Sequence, residues 1–183
     1  MPAPTSAAAV ANEFLDIQSV DPGFPPIDQM KIQKLVFYSH AWYLGLESVP
    51  LFEEDVYAWP WGPVVPPIYH DFLEFGRRPI AGKRASELVK AGPGNLEFKF
   101  IIPSVADAGL KTFLRQVWDA HKRFTGVQLS NATHATGEPW TIIREKYGNL
   151  DSKPLIPNDL IQEVFAKKAK AVAHAAVPAN PGA

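Results

Sequence analysis

The chain contains no cysteine. This excludes a disulfide framework, a thiolate nucleophile and any zinc site built on sulfur ligands. It also lacks an excess of either charge. Eighteen Lys and Arg stand against 19 Asp and Glu, a formal net charge of −1, so no overall field draws the chain toward nucleic acid or an anionic membrane. No apolar run approaches the roughly 20 residues that a bilayer span needs. The N-terminus, Met1-Pro-Ala-Pro-Thr-Ser-Ala, has no basic segment of the kind that opens a secretory leader. These absences describe a soluble, cytoplasmic protein. Its 183 residues, 46% hydrophobic and 20% charged, suffice for one domain with its own core.

Motifs that carry chemistry are equally scarce. The five histidines are His40, His70, His121, His134 and His174. None forms an i, i+4 pair and there is no His-Glu-x-x-His, so no metal is expected. No Gly-x-Ser-x-Gly elbow, phosphate-binding loop or dinucleotide fingerprint is present, so no cofactor is expected either. Ser130, Thr133 and His134 cluster in Leu129-Ser-Asn-Ala-Thr-His-Ala-Thr-Gly-Glu-Pro-Trp. Ser130 and His134 share a helical face at i, i+4. One reading is a hydroxyl–imidazole pair of a hydrolase, which would also need an acid and an oxyanion site. The other is a structural hydrogen-bonding cluster that fixes two helices about a turn, and we favour it. The basic pairs Arg77-Arg78 and Lys83-Arg84 and the group Lys167, Lys168 and Lys170 read as solvated surface rather than a phosphate track. A DNA-binding regulator is therefore disfavoured.

What the sequence does contain is a block of rings and prolines. Phe37 to Phe75 holds eleven of the 21 aromatic residues, and its centre reads Asp55-Val-Tyr-Ala-Trp-Pro-Trp-Gly-Pro-Val-Val-Pro-Pro-Ile-Tyr-His-Asp. Aromatic rings carry large apolar surface at low rotamer cost and anchor both cores and interfaces. The prolines between them fix φ and remove donors, which stiffens the presentation. The block therefore either wedges a turn onto the core or stays exposed to grip a partner.

Around it, apolar spacing predicts helices. Ser6 caps the first, to about Ile17, and Asp28 caps the second, about Gln29 to Leu46. The second is apolar nearly all round, with Lys31, Gln33, Lys34 and His40 as the breaks, which places it at the centre of the fold. A short strand is expected within Phe52–Trp59, a turn over Pro60–Pro63, and a third helix from Pro66 or Pro67 to Gly76. Arg77–Gly94 reads as a polar loop with one helical turn at Ala85–Lys90, followed by a second short strand within Leu96–Pro103. Further helices are predicted from Ser104 or Asp107 to Phe124, over Val127–Ala135 and Trp140–Tyr147, and from Pro157 onward. The expected fold is mainly α, a compact single-domain bundle over residues 6–176 with a central buried helix and a small two- or three-stranded β element. Residues 1–5 and 177–183 are expected to be disordered.

Three blocks in order complete the reading: Lys31-Ile-Gln-Lys-Leu-Val-Phe-Tyr-Ser-His-Ala-Trp-Tyr-Leu, the segment Leu51 to Phe72, and Leu129-Ser to Pro139-Trp. They resemble the Panacea domain of SocA-like and phage-associated GepA-like antitoxins. The resemblance implies a mostly helical, non-enzymatic antitoxin that neutralises a cognate toxin by direct protein contact. It also implies, for the SocA-like branch, an adaptor that delivers the toxin to the ClpXP protease. It carries no catalytic residue. No appended helix-turn-helix accompanies the domain, which argues against autoregulation on DNA. The expected contact residues are Trp59, Trp61, Val64, Tyr69 and His70, with the polar loop Arg77–Gly94 as the alternative carrier of specificity.

Overall fold

A computed structural model describes residues 3–92, 94 and 96–176. Among the described residues, seven α-helices and two small antiparallel hairpins follow one another along the chain. They are α1 (Ala7–Val20), α2 (Gln29–Glu47), β1 (Tyr57–Trp59), β2 (Gly62–Val64), α3 (Pro66–Phe72), β3 (Glu87–Lys90), β4 (Phe98–Ile101), α4 (Ala108–His121), α5 (Gly126–Thr133), α6 (Pro139–Tyr147) and α7 (Asn158–Ala176). A 3₁₀ turn, Leu73–Phe75, extends α3 to Gly76, where φ is +53°. The mainly helical single-domain bundle expected from the sequence is the fold observed.

The helix starts follow from their caps. Ser6 Oγ accepts from the Ala9 N–H at 3.2 Å, Asp28 Oδ1 from the Lys31 N–H at 2.7 Å, and Asp107 Oδ1 from the Leu110 N–H at 2.7 Å. Each satisfies one of the donors that a helix start leaves without an intrahelical partner. Thr125 and Gln128 form a reciprocal capping box at α5. Helices α3 and α6 begin on prolines, whose missing N–H costs nothing there.

Helix α2 is the axis of the bundle and packs against α1, α3, α4, α5, α7 and β2. Its apolar residues Ile32, Leu35, Val36, Phe37, Ala41 and Leu44 are buried, as expected. So are Lys31, Gln33, Lys34 and His40, the positions that looked like breaks. From Lys31 to Ala41 the helix is buried on every side; Lys31 and Lys34 donate to carbonyls, the Val65 N–H donates to Gln33 Oε1, and His40 Nε2 pairs with Asn158 Oδ1, while Gln33 Nε2 and His40 Nδ1 have no partner.

Helices α2 and α7 approach closely at Gly45. A Cβ there would lie 2.7 Å from the backbone carbon of Phe165, and a backbone neighbour cannot swing aside. We expect Gly45→Ala to lower stability by about 2 kcal/mol in chemical denaturation, although alanine is the better helix former by about 1 kcal/mol. A stabilised variant would mean that the two helices do not approach this closely.

Two sequence expectations are corrected. The turn of helix expected at Ala85–Lys90 is instead strand β3, which pairs antiparallel with β4 in the register Glu87↔Ile101, Leu88↔Phe100, Val89↔Lys99, Lys90↔Phe98. A single helical turn is costly to nucleate, and pairing across a short connection supplies the bonds instead. The β1–β2 hairpin has a two-residue loop, Pro60-Trp61, so Gly62 and Pro63 belong to a strand rather than to the turn. The Pro154–Ile156 segment flanks β1 as a short third member. The Ala58 N–H donates to Pro154 O at 2.8 Å and the Ile156 N–H to Val56 O at 2.8 Å.

One buried side chain ties together the two ends of the β3–β4 arm. Buried Asn12 on α1 accepts from the Ala85 N–H at 2.8 Å and donates to Ala85 O at 3.0 Å and Pro103 O at 2.9 Å. At the N-terminus, Ala3 N–H donates to Glu53 Oε1 at 2.8 Å and Thr5 N–H to Leu51 O at 3.3 Å. The expected disorder of residues 1 and 2 and of the tail from Val177 to Ala183 lies outside the described residues.

Candidate partner-binding site on the β1–β2 hairpin

The aromatic–proline block folds into a hairpin whose backbone is fastened from beneath by side chains of three helices. Trp140 Nε1 on α6 donates to Trp59 O at 2.7 Å. Ser130 Oγ on α5 donates to Trp61 O at 2.7 Å. Lys34 Nζ on α2 donates to Pro63 O at 3.0 Å, and the Val65 N–H donates to Gln33 Oε1 at 3.0 Å. Four consecutive odd positions, 59, 61, 63 and 65, are thus anchored on one side. Hydrogen bonds of this kind are worth about 1 kcal/mol each in net stability, and more is lost when one partner is left buried and unpaired.

Close approach at the clamp requires Gly62. Its φ is +108°, and an added Cβ would fall 2.6 Å from Lys34 Nζ and 2.8 Å from Thr133 Oγ1. Burial pushes the Lys34 amine down to about 7, since a charge there would have to leave water. The His134 ring stacks on Trp140 at 3.8 Å between centroids and 19° between planes. Burial, then the neighbouring charges of Lys34 and Arg144, hold the His134 pKa below its ordinary value.

This backbone grip leaves the loop side chains outside. Trp61 is 71% exposed. Trp59 lies half-buried beside it, packed on Tyr69 at 4.7 Å between centroids, with Lys153 Nζ 4.0 Å above its ring. Tyr69 in turn meets His70 edge-on at 5.6 Å, and His70 is exposed. Trp59, Tyr69 and His70 therefore form one continuous ring surface, with Trp61 at the adjoining hairpin tip. Val64 does not join it. It is 6% exposed and faces inward.

Of Ser130, Thr133 and His134, it is Ser130 that bonds to the hairpin. Thr133 Oγ1 donates to Ser130 O at 2.7 Å, and the Ser130 hydrogen goes to the Trp61 carbonyl, not to His134. Buried Gln33 and Lys34 and the indole of Trp140 complete the clamp, and none of them stood out as site residues in the sequence. The usable signal was the four polar side chains on an otherwise apolar helix.

The basic groups are largely paired. Lys83 meets Glu74 at 2.6 Å, Arg84 meets Asp16, Lys167 meets Glu163 at 2.6 Å and Lys168 meets Glu138. No cluster of three or more His, Asp or Glu able to hold a metal occurs among the described residues. None of their helices is long and apolar enough to cross a membrane.

Residues 32–141 match the family described as "Antitoxin SocA-like, Panacea domain". The chain is also 29% identical over 166 residues to Antitoxin SocA of Caulobacter vibrioides (strain NA1000 / CB15N), covering 90% of this chain and 84% of that protein. No solved structure matches it. The family match spans more than half of the chain and takes in Gln33, Lys34, the hairpin, Ser130 and Trp140, so the protein belongs to the SocA-like, Panacea-domain antitoxin family.

Proposed function

We propose that this protein is a non-enzymatic antitoxin that captures a cognate toxin protein on the ring surface of Trp59, Trp61, Tyr69 and His70. Family membership supports the class of function. The observation that carries the site is Trp61, a large aromatic side chain left in water on a hairpin whose carbonyls are held by three helices. A prearranged anchor loses little conformational freedom on docking, which is how rigid aromatic contacts come to dominate interfaces.

The hydrolase reading loses its support in the clamp, where Ser130 donates to a backbone carbonyl. The paired basic groups and the net charge of −1 give little to a DNA-binding role. Delivery of the toxin to ClpXP rests on the family resemblance alone.

The test is co-purification with the product of the adjacent open reading frame. The wild-type protein is expected to retain that product. Trp61→Ala should weaken capture by at least about tenfold, since truncating a central aromatic anchor costs about 2–4 kcal/mol, with an unchanged melting temperature because the ring is exposed. A variant that unfolds would return the ring to the core. Adding ClpXP to the reconstituted pair separates blocking from delivery, because only delivery shortens the toxin's lifetime.

A further inference from the structure

Two cations stand on rings at the β1–β2 hairpin, and capture by the rings alone gives them no role. Lys153 Nζ lies 4.0 Å from the centre of the Trp59 ring. The Arg144 guanidinium lies 5.6 Å from that of Trp140, whose indole N–H donates to Trp59 O at 2.7 Å. Both residues are exposed. Both reach the hairpin at Trp59, one through its ring and the other through the indole that holds its carbonyl.

The backbone at Lys153 is unusual. Its φ is +47°, and among the described non-glycine residues only Ser48 shares a positive φ. L residues resist this region, and the following Pro154 favours an extended conformation before it. Glycine would make the turn at lower cost. Strain of this kind persists where a side chain has a task, and the group placed here is the ammonium on Trp59. Neither cation is neutralised. Glu145 and Asp151 stand within two residues of them in sequence, yet the ion pairs among the described residues leave all four side chains out. Two acids close to the ring residues along the chain are engaged elsewhere. Asp55 Oδ2 accepts from the Tyr57 hydroxyl at 3.3 Å, and Asp71 Oδ2 from the Ser86 N–H at 3.0 Å.

We propose that the ring surface receives an acidic segment of its partner protein, with partner carboxylates on Lys153 and Arg144 and the intervening chain packed on Trp59 and Trp61. This rests on the antitoxin reading of the site and specifies the chemistry of its partner. Charge complementarity selects that chemistry. A ring holds a cation in place but makes a weaker contact than the charge-assisted hydrogen bond of a carboxylate. Each cation is thus prearranged for an anion at little further cost in side-chain freedom. A basic segment would meet two uncompensated positive charges at the same place. Charges at the edge of an aromatic patch act mainly on the rate of encounter, whereas the packed anchor sets the lifetime of the complex.

Stopped-flow association with the purified product of the adjacent open reading frame tests this. For wild-type protein the association rate constant should fall at least about fivefold between about 0.05 and about 0.5 M salt. The double variant Arg144→Glu/Lys153→Glu should associate at least about tenfold more slowly at the lower salt and speed up as salt is added, with circular dichroism showing an unchanged fold. Trp61→Ala should instead raise mainly the dissociation rate. Lys153→Gly separates the side chain from the turn. It should melt no lower than wild type, since glycine suits the backbone, and still associate more slowly. A water-soluble carbodiimide should couple Lys153 to an Asp or Glu of the bound product, and Lys153→Arg should lose that link while keeping the salt dependence. Charge reversal that leaves the rate unchanged, in a protein whose capture Trp61→Ala still weakens, overturns the inference and leaves the site standing. Faster association of the reversed variant overturns it as well, because it means a basic segment. No capture by wild-type protein overturns the site and the inference together.

Discussion

Gly62→Ala is expected to lower the stability of the folded chain by about 3 kcal/mol, the largest effect of any single methyl group added to the hairpin. Two separate costs combine. At φ +108° an L side chain is strained by about 1–2 kcal/mol. The new Cβ also enters the space of Lys34 Nζ and Thr133 Oγ1, and overpacking of that kind costs about 1–3 kcal/mol. For a chain of this length the melting temperature should fall by about 10 °C. Gly137→Ala is the matched control. Its φ is +82° with nothing within 4 Å of the added atom, so it should show the backbone cost alone. Equal losses at the two glycines would mean that Lys34 and Thr133 do not press against the hairpin.

The buried amine should also make stability rise with pH in a range where most proteins lose it. Lys34 is 1% exposed, and burial moves its pKa from the ordinary 10.5 to about 7. Between those values the unfolded chain binds a proton that the folded chain does not, so stability increases as pH rises through the window. Lys31, lowered mainly by burial to about 8, acts in the same direction. Urea denaturation is expected to give at least about 2 kcal/mol more stability at about pH 9.5 than at about pH 7.5. Lys34→Met should remove about 2 kcal/mol of that difference, whatever it does to stability at neutral pH. His40 extends the trend to acid. Burial moves it down to about 4, against the opposing pull of its bond to Asn158, so stability is lost as pH falls from about 6.5 toward 4. A slope that Lys34→Met leaves unchanged would mean that the amine is solvated in the folded protein.

The helical frame was legible because its signals are local. The caps Ser6 and Asp28, and Asp107 and Pro66 as one of two starts offered for their helices, act within a few residues of their own positions. The apolar circumference of α2 likewise announced a central helix. What could not be read depends on partners distant in sequence. The clamp joins Lys34 to Pro63, Ser130 to Trp61 and Trp140 to Trp59, and no periodicity records such bonds. The same holds for Asn12, an unremarked polar residue in an alanine-rich helix that ties together the two ends of the β3–β4 arm. Val64 and Trp61 looked alike within one ring-rich block. They separate only because the hairpin turns at Pro60-Trp61, which leaves the tip in water and presses β2 onto α2. Strand β3 was misread because four residues carry too few alternations to outweigh a helical guess, whereas its pairing with β4 decides the matter in space.

Isothermal titration of the purified adjacent gene product into wild-type protein and into Trp61→Ala bears most directly on the role assigned to the hairpin. Wild-type protein should bind it saturably, and Trp61→Ala should bind at least about tenfold more weakly while melting at the same temperature. Equal affinities in two equally folded proteins would contradict the placement of the interface, and no heat of binding from either would contradict the capture of that partner altogether.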